Sequence, residues 1–213
     1  MLRYDIITSR VRSLHERITR RCLYKRRSLL VFYDYDVLND MEVLMKKKAV
    51  VINGAGGVGK DTLCELASKH FKVRNISSIT PIKEIAAMCG WDGTKDNKAR
   101  KFLSDLKRIC VEYNDYPTEW AKRQYNDFVT SDDDVMFVHI REPEEIKKFV
   151  DKTGGEAVTL LVRGGKRMSN EKYGNASDDG VENYSYDYYF LNENTLEVAE
   201  AEFVALVGEI LSK

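Results

Sequence analysis

The stretch that decides the fold is Ala-Val-Val-Ile-Asn-Gly-Ala-Gly-Gly-Val-Gly-Lys-Asp-Thr, residues 49–62. Residues 49–52 form an apolar, β-branched run of the kind found in buried parallel strands. Closely spaced glycines end that run, and residues 63–69 have a composition compatible with a helix. The order of elements predicted here is therefore strand, glycine-rich loop and helix.

The spacing within the loop matches a phosphate-binding P-loop, because glycine occupies its first and sixth positions and Lys60 its seventh. Glycines let successive backbone N–H groups turn inward around a phosphate. The helix that begins near Lys60 directs its positive dipole end at the same anion, and Lys60 supplies a mobile charge for the outer phosphates. A tight turn without a ligand is the alternative. The predicted nucleotide-binding residues are Gly54, Ala55, Gly56, Gly57, Val58, Gly59, Lys60, Asp61 and Thr62.

The position after the lysine departs from the general P-loop pattern, because Asp61 stands where serine or threonine is usual and Thr62 comes next. Glycine, lysine, aspartate and threonine in this order resemble the loop of deoxynucleoside monophosphate kinases and their relatives, which include phosphomevalonate kinases. The resemblance extends over residues 48–210. It implies ATP and Mg²⁺ as cofactors, with Asp61, Thr62 or a water as a ligand of the metal.

A second part of the resemblance lies at the end of the apolar run 135–140, which is predicted as a buried strand. The family carries an aspartate, an arginine two residues on, a proline two further and a glutamate after another two. Arg141, Pro143 and Glu145 fit that spacing, whereas His139 stands in the place of the aspartate. Ligands bind at the carboxyl ends of strands in such sheets, which favours Arg141 as a phosphate ligand. A surface ion pair with Glu144 or Glu145 is the alternative.

A third part is the basic segment 163–167, which directly follows a predicted strand and stands where the family has its lid. Closure of a basic lid brings positive charge onto the transferred phosphoryl group and excludes water. Arg163 and Arg167 are therefore predicted to act with Lys60 in catalysis, with Lys166 beside them. A solvated loop between strands is the alternative.

The acceptor side is predicted in the long insertion between the second and third strands, which exceeds what a simple crossover needs. Lys95 and Arg100 are predicted to bind the acceptor phosphate together with Arg141, and Trp91 to stack on a base. The competing interpretation makes Trp91 a core residue and the two cations helix-surface charges.

Alternating strand and helix patterns predict a three-layer, doubly wound α/β fold with a parallel sheet of about five strands. The five predicted strands are 49–52, 71–76, 135–140, 157–162 and 186–191. A long helix is predicted over residues 97–113. Its inward face is predicted to carry Phe102, Leu103, Leu106, Ile109, Cys110 and Tyr113.

The chain of 213 residues carries no net charge, yet basic side chains outnumber acidic ones in its first segment. We therefore predict a basic extension over residues 1–44 and a P-loop kinase domain over residues 45–213. The extension could bind nucleic acid or a membrane surface, pack on the domain, or be dispensable; the last is favoured because charge runs usually mark solvated segments. Four widely spaced cysteines fit a reducing cytoplasm, and no apolar run approaches the roughly 20 residues that span a bilayer.

The sequence thus predicts an ATP-dependent kinase whose partner is a small-molecule nucleotide, with no membrane and no nucleic acid expected. The resemblance implies a (deoxy)nucleoside monophosphate as acceptor. Another phosphorylated or hydroxylated metabolite, phosphomevalonate among them, and a non-kinase regulatory NTPase are the alternatives. The oligomeric state stays open, with a homodimer as one option.

Overall fold

The computed structural model of the chain describes residues 46–164 and 180–213. Predictions for residues 1–44 and for Lys166 and Arg167 lie outside those ranges. The described strands are β1 Lys48–Asn53, β2 Val73–Ser77, β3 Val135–His139, β4 Val158–Gly164 and β5 Tyr188–Asn192. The described helices are α1 Lys60–Ala67, α2 Thr80–Met88, α3 Asn97–Asn114, α4 Tyr116–Thr130, α5 Pro143–Lys152 and α6 Leu196–Leu211.

The described strands form one five-stranded sheet in the order β2-β3-β1-β4-β5. Every neighbouring pair is parallel, so the carboxyl ends of all these strands lie at the same edge. The central strand is β1, and the glycine-rich loop leaves it at that edge. The predicted class, a parallel α/β sheet covered by helices on both faces, is confirmed.

Two apolar clusters cover the faces of the sheet, and alternate residues of β1 contribute to them. Val50 and Ile52 pack with residues of α1 and α6, among them Phe203, on one face. Ala49 and Val51 pack with residues of α4 and α5 on the other. The two-residue repeat of a strand explains this division, because successive side chains point to opposite faces. Each face thus has its own helix layer.

Helix α3 differs from its prediction. Of its eighteen residues only Ala99 is buried, and Phe102, Ile109 and Tyr113 are 38%, 54% and 86% exposed. The predicted inward face is therefore wrong for these three side chains. Helix α3 packs against α2 and α4, and contact with two neighbouring helices covers less of a helix than contact with a sheet.

Strand β4 also ends later than predicted, so that Arg163 and Gly164 belong to the strand and not to a loop after it.

No helix among residues 46–164 and 180–213 combines the length and the apolar character that a membrane span requires.

Candidate functional site

The loop after β1 has the geometry of a cradle for an anion. Gly54 and Gly59 have φ angles of 145° and 89°, in the region that glycine adopts most easily. A Cβ atom on Gly54 would lie 2.3 Å from the carbonyl oxygen of Val162, and one on Gly59 would lie 2.5 Å from the side-chain nitrogen of Asn192. Both glycines therefore allow the loop to lie directly against the ends of β4 and β5.

Helix α1 begins at Lys60, immediately after Gly59, and no side chain caps its first turn. Its first backbone N–H groups are thus available to an anion at the loop. The ammonium group of Lys60 donates hydrogen bonds to the carbonyl oxygens of Gly54, at 2.5 Å, and Ala55, at 2.9 Å. The ammonium group of Lys60 therefore lies over the glycine-rich loop, where the sequence predicts that it contacts the outer phosphates.

Asn53, the last residue of β1, is fully buried and fixes the start of the loop. Its side-chain oxygen accepts from the N–H of Gly54 at 2.8 Å. Its amide nitrogen donates to the carbonyl oxygen of Arg141 at 3.0 Å and to the hydroxyl of Tyr186 at 2.7 Å. The same hydroxyl donates to the carbonyl oxygen of Val181 at 2.8 Å. One asparagine therefore joins the loop to the exit of β3 and to the segment before β5.

The far end of the loop is held from β5. The amide nitrogen of Asn192 donates to the carbonyl oxygen of Val58 at 2.9 Å. Since Asn53 holds the first residue of the loop and Asn192 its fifth, the backbone of the loop is fixed at both ends. A preorganised loop binds its ligand with a smaller loss of conformational entropy.

His139 lies at the carboxyl end of β3 beside the first turn of α1. Its Nε2 is 2.9 Å from the side-chain oxygen of Asn75, and its Nδ1 is 3.8 Å from Asp61. Burial lowers the pKa of His139, although the negative charge of Asp61 opposes this effect. The Cys64 thiol lies nearby, and burial raises its pKa to about 12 because it disfavours the charged thiolate. Both groups are therefore neutral near pH 7, which argues against Cys64 as a nucleophile.

The predicted metal ligands Asp61 and Thr62 lie in the first turn of α1, and both are exposed. Their carboxylate and hydroxyl oxygens are donors that suit Mg²⁺. In the described part of the chain, no three histidine, cysteine, aspartate or glutamate side chains gather as a metal site. A magnesium ion held here would therefore take most of its ligands from water and from the phosphates it accompanies.

Arg141 lies two residues after the end of β3, and its backbone lies beside the loop because its carbonyl oxygen accepts a hydrogen bond from Asn53. The side chain is exposed. Glu145, a partner considered for Arg141, instead forms an ion pair with Lys107 of α3 at 2.9 Å. The structure thus brings Arg141 to the same edge of the sheet as the loop.

Lys107 also pairs with Glu142, at 2.7 Å. The Lys107, Glu142 and Glu145 side chains are 15%, 36% and 11% exposed. Burial raises the pKa of Glu145 to about 7, and the charge of Glu142 adds to this while Lys107 opposes it. Burial also acts to raise the pKa of Glu142, but the charge of Lys107 and its hydrogen bond act in the opposite direction, and the pKa of Glu142 is lowered overall. Lys107, Glu142 and Glu145 are called the Lys107 cluster below.

Among the described residues, the guanidinium of Arg163, in β4, has two partners. It forms a two-pronged ion pair with the carboxylate of Glu182 and lies over the ring of Tyr189, 4.9 Å from its centre. A role of Arg163 in a closing lid stays a prediction, as does that of Arg167.

The predicted acceptor residues lie in and beside the turn between α2 and α3. Trp91 is partly buried and donates from its indole nitrogen to the carbonyl oxygen of Thr94 at 2.9 Å, while Lys95 is exposed. Arg100, also exposed, is in the first turn of α3. Their roles stay predictions.

No family model and no curated protein sequence matches this chain. Among solved structures it is similar to the tunicamycin resistance protein of Deinococcus radiodurans, with 10% identity and a TM-score of 0.48 over 76% of this chain and 96% of that one. It is also similar to a gluconokinase from Sinorhizobium meliloti 1021, with 12% identity and a TM-score of 0.47 over 78% and 95% of the two chains. A shikimate kinase from Aquifex aeolicus has 11% identity and a TM-score of 0.43 over 78% and 99%.

Two parts of the site could not be predicted from the sequence. Asn53 gives only a faint signal, a polar side chain at the end of an otherwise apolar strand. The contacts of Lys107 with Glu142 and Glu145 join residues 35 or more positions apart, and local patterns carry no information about such pairs.

Proposed function

We propose that the chain is an ATP-dependent small-molecule kinase that transfers the γ-phosphoryl group of Mg·ATP to the phosphate of a (deoxy)nucleoside monophosphate. The observation that carries the proposal is the loop from Gly54 to Gly59. It leaves the central strand at the carboxyl edge, is held at both ends, and leads into a helix whose first residue is Lys60. Such a loop suits a polyphosphate, because backbone N–H groups, helix dipole and ammonium group all favour negative charge there.

In this proposal the chain acts by positioning and by neutralising charge, since phosphoryl transfer requires little covalent chemistry from the protein. The loop amides hold the β- and γ-phosphates. The ammonium of Lys60 leaves its two carbonyl partners and stabilises the charge that builds up on the transferred group. Asp61 and Thr62 would hold the magnesium ion, which would supply charge neutralisation at the phosphates.

The acceptor is assigned from the resemblance and from the position of Arg141. This residue leaves β3 next to the loop, so an acceptor phosphate bound by its side chain would lie at the same edge as ATP. Lys95, Arg100 and Trp91 are proposed to complete the acceptor side from the α2–α3 region.

The proposal is tested with a panel of ribo- and deoxynucleoside monophosphates and Mg·ATP, with ADP release as the readout. Turnover that depends on one of these acceptors supports it. Turnover only with phosphomevalonate or with a hydroxylated metabolite would replace the acceptor but keep the kinase. Slow ATP hydrolysis that DNA or RNA stimulates, without any acceptor, would contradict the proposal.

The role of the loop is tested separately with Lys60→Ala. We expect turnover to fall by about 10²–10³-fold or more, because a charge that stabilises the transition state is lost. The matched control is Lys69→Ala, since Lys69 is exposed and pairs with Glu200. Unchanged turnover in Lys60→Ala, with a circular dichroism spectrum like that of the parent, would show that the loop is not catalytic.

A further inference from the structure

The Lys107 cluster joins α3 to the start of α5. The ammonium of Lys107 lies 2.7 Å from a Glu142 oxygen and 2.9 Å from Oε1 of Glu145. Two carboxylates thus share one cation in a largely buried place. With both carboxylates ionised the cluster carries a net negative charge, and burial of an unbalanced charge is unfavourable.

Glu145 is the member of the cluster that is least well satisfied. Its Oε2 atom is buried and has no hydrogen-bond partner within the described residues. A proton on Glu145 removes the excess negative charge, in agreement with the pKa of about 7 that burial gives this group. Lys107 from α3 and Glu142, which directly precedes α5, are the charged groups that act on Glu145. Lys148 and Lys152 of α5 pair instead with Asp115, which lies between α3 and α4, and with Glu119 of α4.

Helix α3 packs on α2 and α4 but buries little of its own surface. Ala99 is its one buried residue, and several of its large apolar side chains are exposed. A helix with so little buried apolar surface has a low local stability. The Lys107 cluster therefore adds a polar contact to the packing that holds α3 in place.

The cluster is also close in the chain to the phosphate loop. Glu142 directly follows Arg141, whose carbonyl oxygen accepts from Asn53, and Asn53 in turn holds Gly54. A shift of α3 that pulls on Glu142 thus acts one residue from Arg141, which is assigned to the acceptor phosphate.

We propose that Glu145 is a positioning residue for the acceptor side of the proposed reaction, acting through Lys107 to hold α3 against the carboxyl edge of the sheet. The inference rests on the proposed function, because α3 belongs to the segment assigned to the acceptor. While Glu145 carries a proton, the cluster has one cation and one anion and stays closed. Loss of the proton leaves a net negative charge that draws in water and loosens Lys107 and α3.

The first test measures hydrogen exchange of the α3 amides in the protein without ligands at pH 6 and pH 8.5. We expect the protection factors of α3, relative to those of α6, to fall by about tenfold at the higher pH. Glu145→Gln should keep α3 protected at both pH values, because glutamine cannot lose a proton. Glu144→Gln, which changes an exposed neighbour on the same turn, should behave like the parent. Equal protection of α3 at both pH values in the parent protein would overturn the proposal, as would a pH-dependent loss in Glu145→Gln.

The second test measures steady-state kinetics with the acceptor found in the panel. We expect the KM for the acceptor to rise at least about threefold between pH 6 and pH 8 in the parent protein and to stay constant in Glu145→Gln, with the KM for ATP unchanged in both. A parallel rise of both KM values would contradict a role on the acceptor side. If no acceptor supports turnover, the proposed function fails, while hydrogen exchange still decides whether the cluster holds α3.

Discussion

At the scale of single residues, the site depends on positions where only one side chain fits. Gly59 combines a left-handed backbone with a close approach to Asn192, and Asn53 satisfies three backbone or hydroxyl groups at once. The loop glycines, Gly59 among them, could be predicted from the sequence, because the spacing of glycines in a P-loop is a local pattern. Asn53 could not, because its partners Arg141 and Tyr186 are far away in the chain and only the folded sheet brings them together.

We expect Gly59→Ala to destabilise the protein by about 1–3 kcal/mol and to weaken ATP binding, since the added Cβ meets the side chain of Asn192 on an already unfavourable backbone. The measurements are urea unfolding and calorimetric titration with Mg·ATP. Gly93→Ala is the matched control, because Gly93 has a similar φ of 91° but no atom within 4 Å of the added Cβ. Similar losses in both variants would mean that backbone strain alone, and not the contact with Asn192, restricts position 59.

At the scale of elements, the strands were predictable and the environment of α3 was not. The buried strands β1, β3 and β4 are recognised from their own apolar runs. The two outer strands, β2 and β5, carry fewer buried residues, and their predicted bounds also lie within a few residues of the observed ones. The hydrophobic pattern of α3 correctly indicated a helix, but which residues are buried depends on the elements that pack against it. Since α3 packs on α2 and α4, part of its apolar side remains open to solvent.

The exposed side of α3 leads to a prediction for Ile109→Gln. Because Ile109 is 54% exposed, we expect the free energy of unfolding to change by less than about 0.5 kcal/mol. Phe149→Ala, at a fully buried position in α5, should cost about 3–5 kcal/mol. Urea unfolding of both variants checks this. A loss above about 2 kcal/mol for Ile109→Gln would show that α3 is more deeply packed in solution.

At the scale of the whole molecule, the pH dependence of stability reports on Glu145, the one carboxyl group within residues 46–164 and 180–213 whose pKa is strongly raised. The folded protein keeps a proton on Glu145 up to a pKa of about 7, whereas the ordinary pKa of a glutamate side chain is 4.5. The folded state therefore binds more protons than the unfolded state between these values, and the contribution of Glu145 to stability falls as pH rises through that window. His139, whose pKa is lowered by burial, contributes a slope of the opposite sign.

We expect Glu145→Gln to match the parent protein in stability at pH 5 and to exceed it by about 1–3 kcal/mol at pH 8. The difference between the two proteins isolates Glu145, since His139 is present in both. Urea unfolding at five pH values between 5 and 8 measures this difference. A constant difference across the range would show that Glu145 titrates in the folded protein as it does in the unfolded chain.

The position of Lys60 has a consequence for which anions the loop can select. Its ammonium group already has two carbonyl oxygens as acceptors, so an incoming anion must compete with the protein for that cation. A single inorganic phosphate would replace these two hydrogen bonds with little net gain in binding free energy. A chain of phosphates would also accept hydrogen bonds from the backbone N–H groups of the loop, and these further contacts outweigh the loss of the two carbonyl contacts. We therefore expect the loop to reject sulfate and orthophosphate at concentrations that would saturate it with a nucleoside triphosphate. Lys60 thus makes the loop selective for polyphosphates over the small inorganic anions of the cell.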